Sequence, residues 1–281
     1  MRALVTGAGG LLAGALRREL ESRDWESAHL ARTDLDVTAQ PLVDAAVDDL
    51  KPEVVFHCAA YTKVDLAEEQ EPEALRVNRG GAACVGRACA RNGALIVFPS
   101  TDYVFSGDQS RPYLPTDKTG PTNAYGRSKL AGEAAVIASG ARHIIGRTSW
   151  LFGSGGENFV DSIVALGRTR ERLSVVNDQT GRPTWTTDLA RALADLAEKK
   201  LTGVFHVAGG GWGTWQELAE EALQIEGLTT VVEPISTEAF GAAAPRPRYS
   251  VLDISDTEAA LGRRMPDWRS SLRRYLEGES L

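Results

Sequence analysis

The sequence predicts an α/β fold: a doubly wound parallel sheet carrying a smaller, loop-rich C-terminal lobe. Three observations predict it. Short β-branched runs alternate with amphipathic helical stretches through the first 150 residues, as they do in parallel βαβ units joined by right-handed crossovers. A glycine-rich turn separates the first such run from the first helical stretch. Beyond residue 150 the alternation loosens into glycine- and proline-rich segments.

RALVT (2–6) is an apolar run of buried-strand type, and LLAGALRRELES follows it as an amphipathic helix. VVFH (54–57), LIVFPS (95–100), HIIGRT (143–148) and VFHVA (204–208) read as further buried strands. Between VVFH and LIVFPS, EALRVNRGGAACVGRACARNG reads as one helix with small residues along a face, closed by Gly93 as C-cap. GSGGEN (153–158), AGGGWGTW (208–215) and AAAPRPRYS (242–250) punctuate the remainder. Residues 1–150, rejoined by roughly 173–208, are assigned to the sheet domain, and roughly 151–172 and 209–281 to the lobe.

The composition excludes several classes of function. A net charge of −7 without any basic run excludes a nucleic-acid footprint. No apolar run approaches the ~20 residues that span a membrane. The opening MRALVTGAGG is a strand and a turn, not a signal peptide. Cys58, Cys84 and Cys89 form neither a metal spacing nor an even disulfide set, which suits a reducing, cytoplasmic compartment. His29, His57, His143 and His206 lie far apart and read as strand or strand-end residues, so no metal site is predicted.

VTGAGGLLAG reads as G-x-x-G-x-x-G, with Gly7 and Gly10 at the first two places and Ala13 at the third. Gly7 permits the tight turn, and Gly10 lets backbone N–H groups approach a pyrophosphate at the start of the helix that Leu11 and Leu12 open. This is a Rossmann-type turn in its proper context, and it predicts a dinucleotide cofactor. Arg32 stands where an acid would bind a ribose 2′-hydroxyl; an arginine there suits a 2′-phosphate, so NADPH is preferred over NADH. Asp36 and Val37 follow at a place suited to the adenine.

AYGRSK puts Tyr125 and Lys129 four residues apart, on one face of a helix. At ~4 Å and an effective dielectric of ~20, a lysine cation stabilises a phenolate by about 4 kcal/mol, or ~3 pKa units. Such a tyrosine can exchange a proton near neutral pH. Upstream, VFPSTDYVFSGDQ is a strand ending in two hydroxyls, Ser100 and Thr101.

A strand-end hydroxyl followed by Tyr-x-x-x-Lys, downstream of a dinucleotide turn, resembles the extended short-chain dehydrogenase/reductase superfamily. CAAYTKVDLAEEQEPEALRVN, STDYVFSG, AYGRSKLAGE, RTSWLFG, VVNDQTGRPTWTTDLA and RPRYSVLD look like the signature blocks of the dTDP-4-dehydrorhamnose reductase family, from residue 3 to about 255. The resemblance implies reduction of the C4 ketone of dTDP-6-deoxy-L-lyxo-4-hexulose by NAD(P)H to dTDP-L-rhamnose. It implies Tyr125 as proton donor, Lys129 as its electrostatic partner and ribose ligand, and Thr101 as a second donor to the carbonyl oxygen. It also implies Ala59, Ala60 and Tyr61 along the cofactor path, and Asp102, Tyr103 and Trp150 facing the deoxyhexose. Arg246 or Arg248 is available to the substrate diphosphate. Ala13, His57 and Cys58 depart from the family pattern.

A 4,6-dehydratase of this fold carries Asp-Glu after the hydroxyl, whereas here Tyr103 follows Asp102. A 4-epimerase expects an acid where Arg32 stands. Two alternatives stay open: a reductase of another nucleotide-linked 4-ketosugar, and a non-catalytic regulatory subunit of the methionine adenosyltransferase type. The family sometimes dimerises through Mg2+; no acids for that site are placed, and the chain is expected as a monomer or homodimer.

Overall fold

A computed structural model describes residues 1–279. The strands are β1 (Arg2–Thr6), β2 (Glu26–Leu30), β3 (Val54–His57), β4 (Leu95–Thr101), β5 (His143–Thr148), β6 (Leu151–Phe152), β7 (Arg172–Val176), β8 (Thr180–Gly181), β9 (Thr184–Trp185), β10 (Gly203–His206), β11 (Gly213–Thr214) and β12 (Val231–Ile235). The helices are α1 (Leu11–Ser22), α2 (Gln40–Leu50), α3 (Val64–Glu69), α4 (Glu71–Leu75), α5 (Ala82–Asn92), α6 (Ala124–Ala138), α7 (Phe159–Gly167), α8 (Thr186–Glu198), α9 (Trp215–Ile225), α10 (Thr237–Phe240), α11 (Ser255–Leu261) and α12 (Trp268–Leu276).

Six strands form one parallel sheet in the order β10-β5-β4-β3-β1-β2. Successive strand residues point to opposite faces, and both faces are covered. Val5, Phe56, Val97 and Ile144 pack on one side with Leu12, Leu16 and Leu20 of α1 and Leu189 and Leu193 of α8. Leu4, Val55, Ile96 and Ile145 pack on the other with Val43 and Val47 of α2 and Val85 of α5. Burial on both faces explains why these strands are apolar throughout rather than alternating.

A further core gathers Phe152, Val160, Trp185, Leu218, Trp268 and Leu272 in the C-terminal lobe. Its helices start on side-chain caps: Asn158 for α7, Thr214 with Glu217 in a capping box for α9, and Asp267 for α12.

Two expectations are corrected. Arg172–Val176 does not rejoin the central sheet; it pairs with β12, and the chain returns only with α8 and β10. The stretch expected as one helix up to Gly93 is α4, a π-helical segment over Arg76–Gly81, and then α5. A π segment inserts an extra residue into the turn. Here it carries Asn78, whose Oδ1 accepts from the Tyr61 N–H at 2.8 Å and whose Nδ2 donates to Ser128 Oγ at 2.8 Å. The loop after β3 is thereby tied to α6.

Candidate active site

The glycine turn closes β1 onto β3. Gly7 has φ +71°, and a Cβ there would lie 2.6 Å from the Ala59 nitrogen, so only glycine fits. Gly10 caps α1 without any side-chain hydrogen bond, which leaves the first N–H groups of the helix free to meet a ligand. Thr6 Oγ1 meets His57 Nδ1 at 2.8 Å and accepts from the Ala59 N–H at 3.3 Å. Burial, with Lys129 nearby, draws His57 down to about 3, so this imidazole is neutral and structural.

The carboxyl end of β4 and the first turns of α6 bring the candidate acid–base residues together. β4 ends at Thr101, and α6 begins one residue before Tyr125 under the cap of Asn123, whose side chain accepts from the Gly126 N–H at 2.7 Å. A Cβ on Gly126 would fall 2.2 Å from the Tyr103 carbonyl oxygen. The helix can therefore lie directly on the turn after β4, with the Tyr103 and Tyr125 rings edge to face at 5.9 Å.

Thr101 Oγ1 donates to Asp102 Oδ1 at 3.1 Å and accepts from the Tyr103 N–H at 3.2 Å. Burial and the charge of Asp102 push the Tyr125 phenol above its ordinary value, and hydrogen bonding with Thr101 works against them. Lys129 is turned the other way: Nζ donates to the Pro99 carbonyl at 2.7 Å and lies 4.1 Å over the Phe98 ring. Burial brings this lysine down to about 8, with Glu133 and Cys58 opposing. The anticipated lowering of Tyr125 by Lys129 is thus absent from this arrangement. Behind the site, Glu133 receives Arg147 through both oxygens at 3.0 and 2.8 Å, and Ser100 Oγ at 2.5 Å.

A cavity of about 760 Å³ joins these parts. Its walls include Gly10, Leu11, Leu12, Ala60, Thr101, Asp102, Tyr103, Tyr125, Lys129 and Trp150, all anticipated from the sequence. The other anticipated residues stand outside its lining. Ala59 lies against the Gly7 turn. Tyr61 sends its hydroxyl to Gln70 Oε1. Arg32 is exposed beyond β2, Asp36 accepts the N–H and hydroxyl of Thr38, and Val37 is buried against Gly81.

Two anticipated substrate contacts are committed within the protein. Asp102 is 2% exposed, and both its oxygens are bonded, Oδ2 to Ser250 Oγ at 2.5 Å. Arg246 forms a two-point pair with Asp65 at 3.0 and 2.8 Å instead of standing free. Among the described residues no group of three or more His, Cys, Asp or Glu side chains could hold a metal ion. A second hollow, about 410 Å³ at the opposite end of the sheet around Arg2, Lys51 and Arg142, contains no acid–base grouping of this kind.

Known proteins match this chain along its length. A family model described as the RmlD substrate binding domain covers residues 1–280. A dTDP-4-dehydrorhamnose reductase from Streptomyces griseus is 41% identical over 96% of this chain and 91% of its own. The chain belongs to the dTDP-4-dehydrorhamnose reductase family. A crystal structure of a dTDP-4-dehydrorhamnose reductase from Bacillus anthracis in complex with NADP superposes with a TM-score of 0.96, at 39% identity, over 99% of both chains. A dTDP-4-keto-6-deoxy-D-glucose reductase from Streptomyces niveus is 41% identical over 89% of this chain and 88% of its own.

Within this member of the family, the geometry adds residues that the sequence did not single out. Trp215, from the first turn of α9, stacks on Trp150 at 3.7 Å and 8°, and lines the cavity with Phe159. Trp150 holds φ +49° and fills the space over Gly181, where a Cβ would come within 2.5 Å of its ring. Trp215 Nε1 donates to Gln179 Oε1 at 3.0 Å. The Thr-x-x-Glu box that starts α9 was a legible signal for Trp215, whereas nothing local marked Ser250.

Proposed function

We propose that the chain reduces the C4 ketone of dTDP-6-deoxy-L-lyxo-4-hexulose with NADPH, giving dTDP-L-rhamnose. The observation that carries this is the convergence of Thr101, Tyr125 and Lys129 on the cavity that also contains the uncapped start of α1. The residues suit the cofactor: the open N–H groups beyond Gly10 fit a pyrophosphate, and exposed Arg32 fits a 2′-phosphate.

Bound NADPH supplies the hydride to the carbonyl carbon. Tyr125 gives its proton to the carbonyl oxygen as negative charge develops there. Thr101 offers that oxygen a second hydrogen bond. Lys129, drawn from Pro99, steadies the tyrosinate that remains. Tyr103 and the Trp150–Trp215 wall take the deoxyhexose, a flat aromatic surface suiting its apolar face. In this reading residues 1–150 with α8 and β10 hold the cofactor and the remainder forms the substrate lobe, in a cytoplasmic monomer or homodimer.

The test is to supply the 4-ketosugar, made in place, and follow loss of NADPH and then NADH. Oxidation of NADPH with dTDP-L-rhamnose as product supports the reading. A second substrate is favoured by the similarity to the Streptomyces niveus protein: dTDP-4-keto-6-deoxy-D-glucose, consumed in preference, would replace the first. Tight NADPH binding with no oxidation on any 4-ketosugar would leave a regulatory subunit.

A further inference from the structure

Among the described residues no arginine, lysine or histidine forms an ion pair with Asp102. Its carboxyl is 2% exposed and bonded to two hydroxyls, Thr101 Oγ1 at 3.1 Å and Ser250 Oγ at 2.5 Å. Ser250 is itself 1% exposed and arrives from the far end of the chain. The Ser250 N–H donates to the Thr180 carbonyl at 2.9 Å, and the Arg248 carbonyl accepts from the Thr180 N–H at 2.7 Å, so the hydroxyl is delivered by a fixed backbone. The charged and titratable groups around the carboxyl are Tyr103 in the same turn, Tyr125 on α6, and Arg246, which is paired with Asp65. Lys129 is bonded to Pro99. Burial raises both tyrosines, which therefore stay neutral.

The hydroxyl of Thr101 has one proton. When Asp102 is ionised it can only accept, so that proton points at Asp102 and away from the cavity. When Asp102 is protonated on Oδ1, it donates to the Thr101 oxygen, and the Thr101 proton is released toward the cavity. Only the second arrangement lets Thr101 donate to a carbonyl oxygen already facing Tyr125.

We propose that Asp102 works as a carboxylic acid that turns the Thr101 proton toward the reacting carbonyl, and that Ser250 is the positioning residue that sets this carboxyl. The proposal rests on the reductase reading above. Burial without a counter-ion pushes Asp102 up to about 7, the direction the acid form requires, and Ser250 and Thr101 hold it back.

The test is the pH dependence of kcat/KM, which reports groups of the free enzyme. The native profile should fall on the alkaline side in two steps, as Asp102 ionises and later as Lys129 loses its proton. Asp102→Asn keeps a donor toward Thr101 and an acceptor toward Ser250; its kcat/KM should fall less than that of Asp102→Ala, and its profile should lack the earlier step. Ser250→Ala removes a donor to the carboxylate, so the earlier step should move to higher pH, and Ser250→Thr should restore it. An Asp102→Asn enzyme as inactive as Asp102→Ala at every pH would overturn the proposal. So would a Ser250→Ala profile that keeps its native steps while the melting temperature drops, since that is a purely structural role. Infrared titration follows the protonated carboxyl band of Asp102 without turnover. That band should vanish in Asp102→Asn, and its absence from the native protein near pH 6 would refute the acid form whether or not the sugar is a substrate.

Discussion

Burial and the neighbouring Asp102 keep the Tyr125 phenol protonated, which suits the proton-donor role proposed for it. Replacing it with phenylalanine removes the donor but leaves the ring in place. Tyr125→Phe should lower kcat by about 10²–10⁴-fold with unchanged NADPH affinity, measured by steady-state rates and fluorescence titration. Gly126 is as exacting, because a methyl group there meets the Tyr103 carbonyl at 2.2 Å. Gly126→Ala should drive α6 off the turn and reduce both melting temperature and turnover. The spacing of Tyr125 and Lys129 was legible, since a helix turn fixes it. The partner that Lys129 actually takes was not, because the Pro99 carbonyl reaches it only when β4 and α6 pack together.

The second helix face of the site shows where pattern reading stops. α6 buries Ser128, Lys129 and Glu133 alongside Ala124, Gly126, Gly132 and Val136, so its inward face is no more apolar than its outward one. Periodicity therefore says little about its orientation; small residues say more. A Cβ on Gly132 would lie 2.7 Å from the Asn78 oxygen, so close approach to the π segment is what the glycine permits. Glu133 and Arg147 brace α6 against β5 at 3% and 5% exposure. Glu133→Gln leaves the arginine charge buried and unpaired, and should cost about 3–5 kcal/mol, read from denaturant unfolding. Replacing both partners with leucine and methionine should cost much less, since no orphaned charge remains.

At the scale of the molecule, two buried neutral histidines make stability depend on pH. His57 and His206 are both drawn from 6.5 down to about 3, chiefly by burial. Their folded values lie below the unfolded ones, so their contribution is whole above pH 6.5 and is lost as pH falls toward 3. Asp102 runs the other way: raised from 3.8 to about 7, it favours the folded state below 3.8 and loses that contribution as pH rises. The two histidines act to lower the melting temperature as pH falls from 6.5 to 3.8, and Asp102 works against them. His206→Leu removes one of the two histidine contributions and should make that decline shallower than in the native protein. The central sheet was readable because its strands are apolar on both faces and alternate with helices. The place of β7 was not, for RLSVV reads as a strand in any sheet, and its partner Val231–Ile235 lies far along the chain.

Trp150 follows the last residues of β5, whereas Trp215 opens a helix of the lobe, and the two indoles stack in nearly parallel planes at 3.7 Å. Stacked indoles share their excited states, so this pair acts as an optical gauge of the contact between α9 and the segment that follows β5. Parting the rings would weaken the paired circular-dichroism bands that such coupling produces, because the coupling falls steeply with distance. A change at this aromatic wall when a ligand binds can therefore be followed in the native chain, with no dye and no added cysteine.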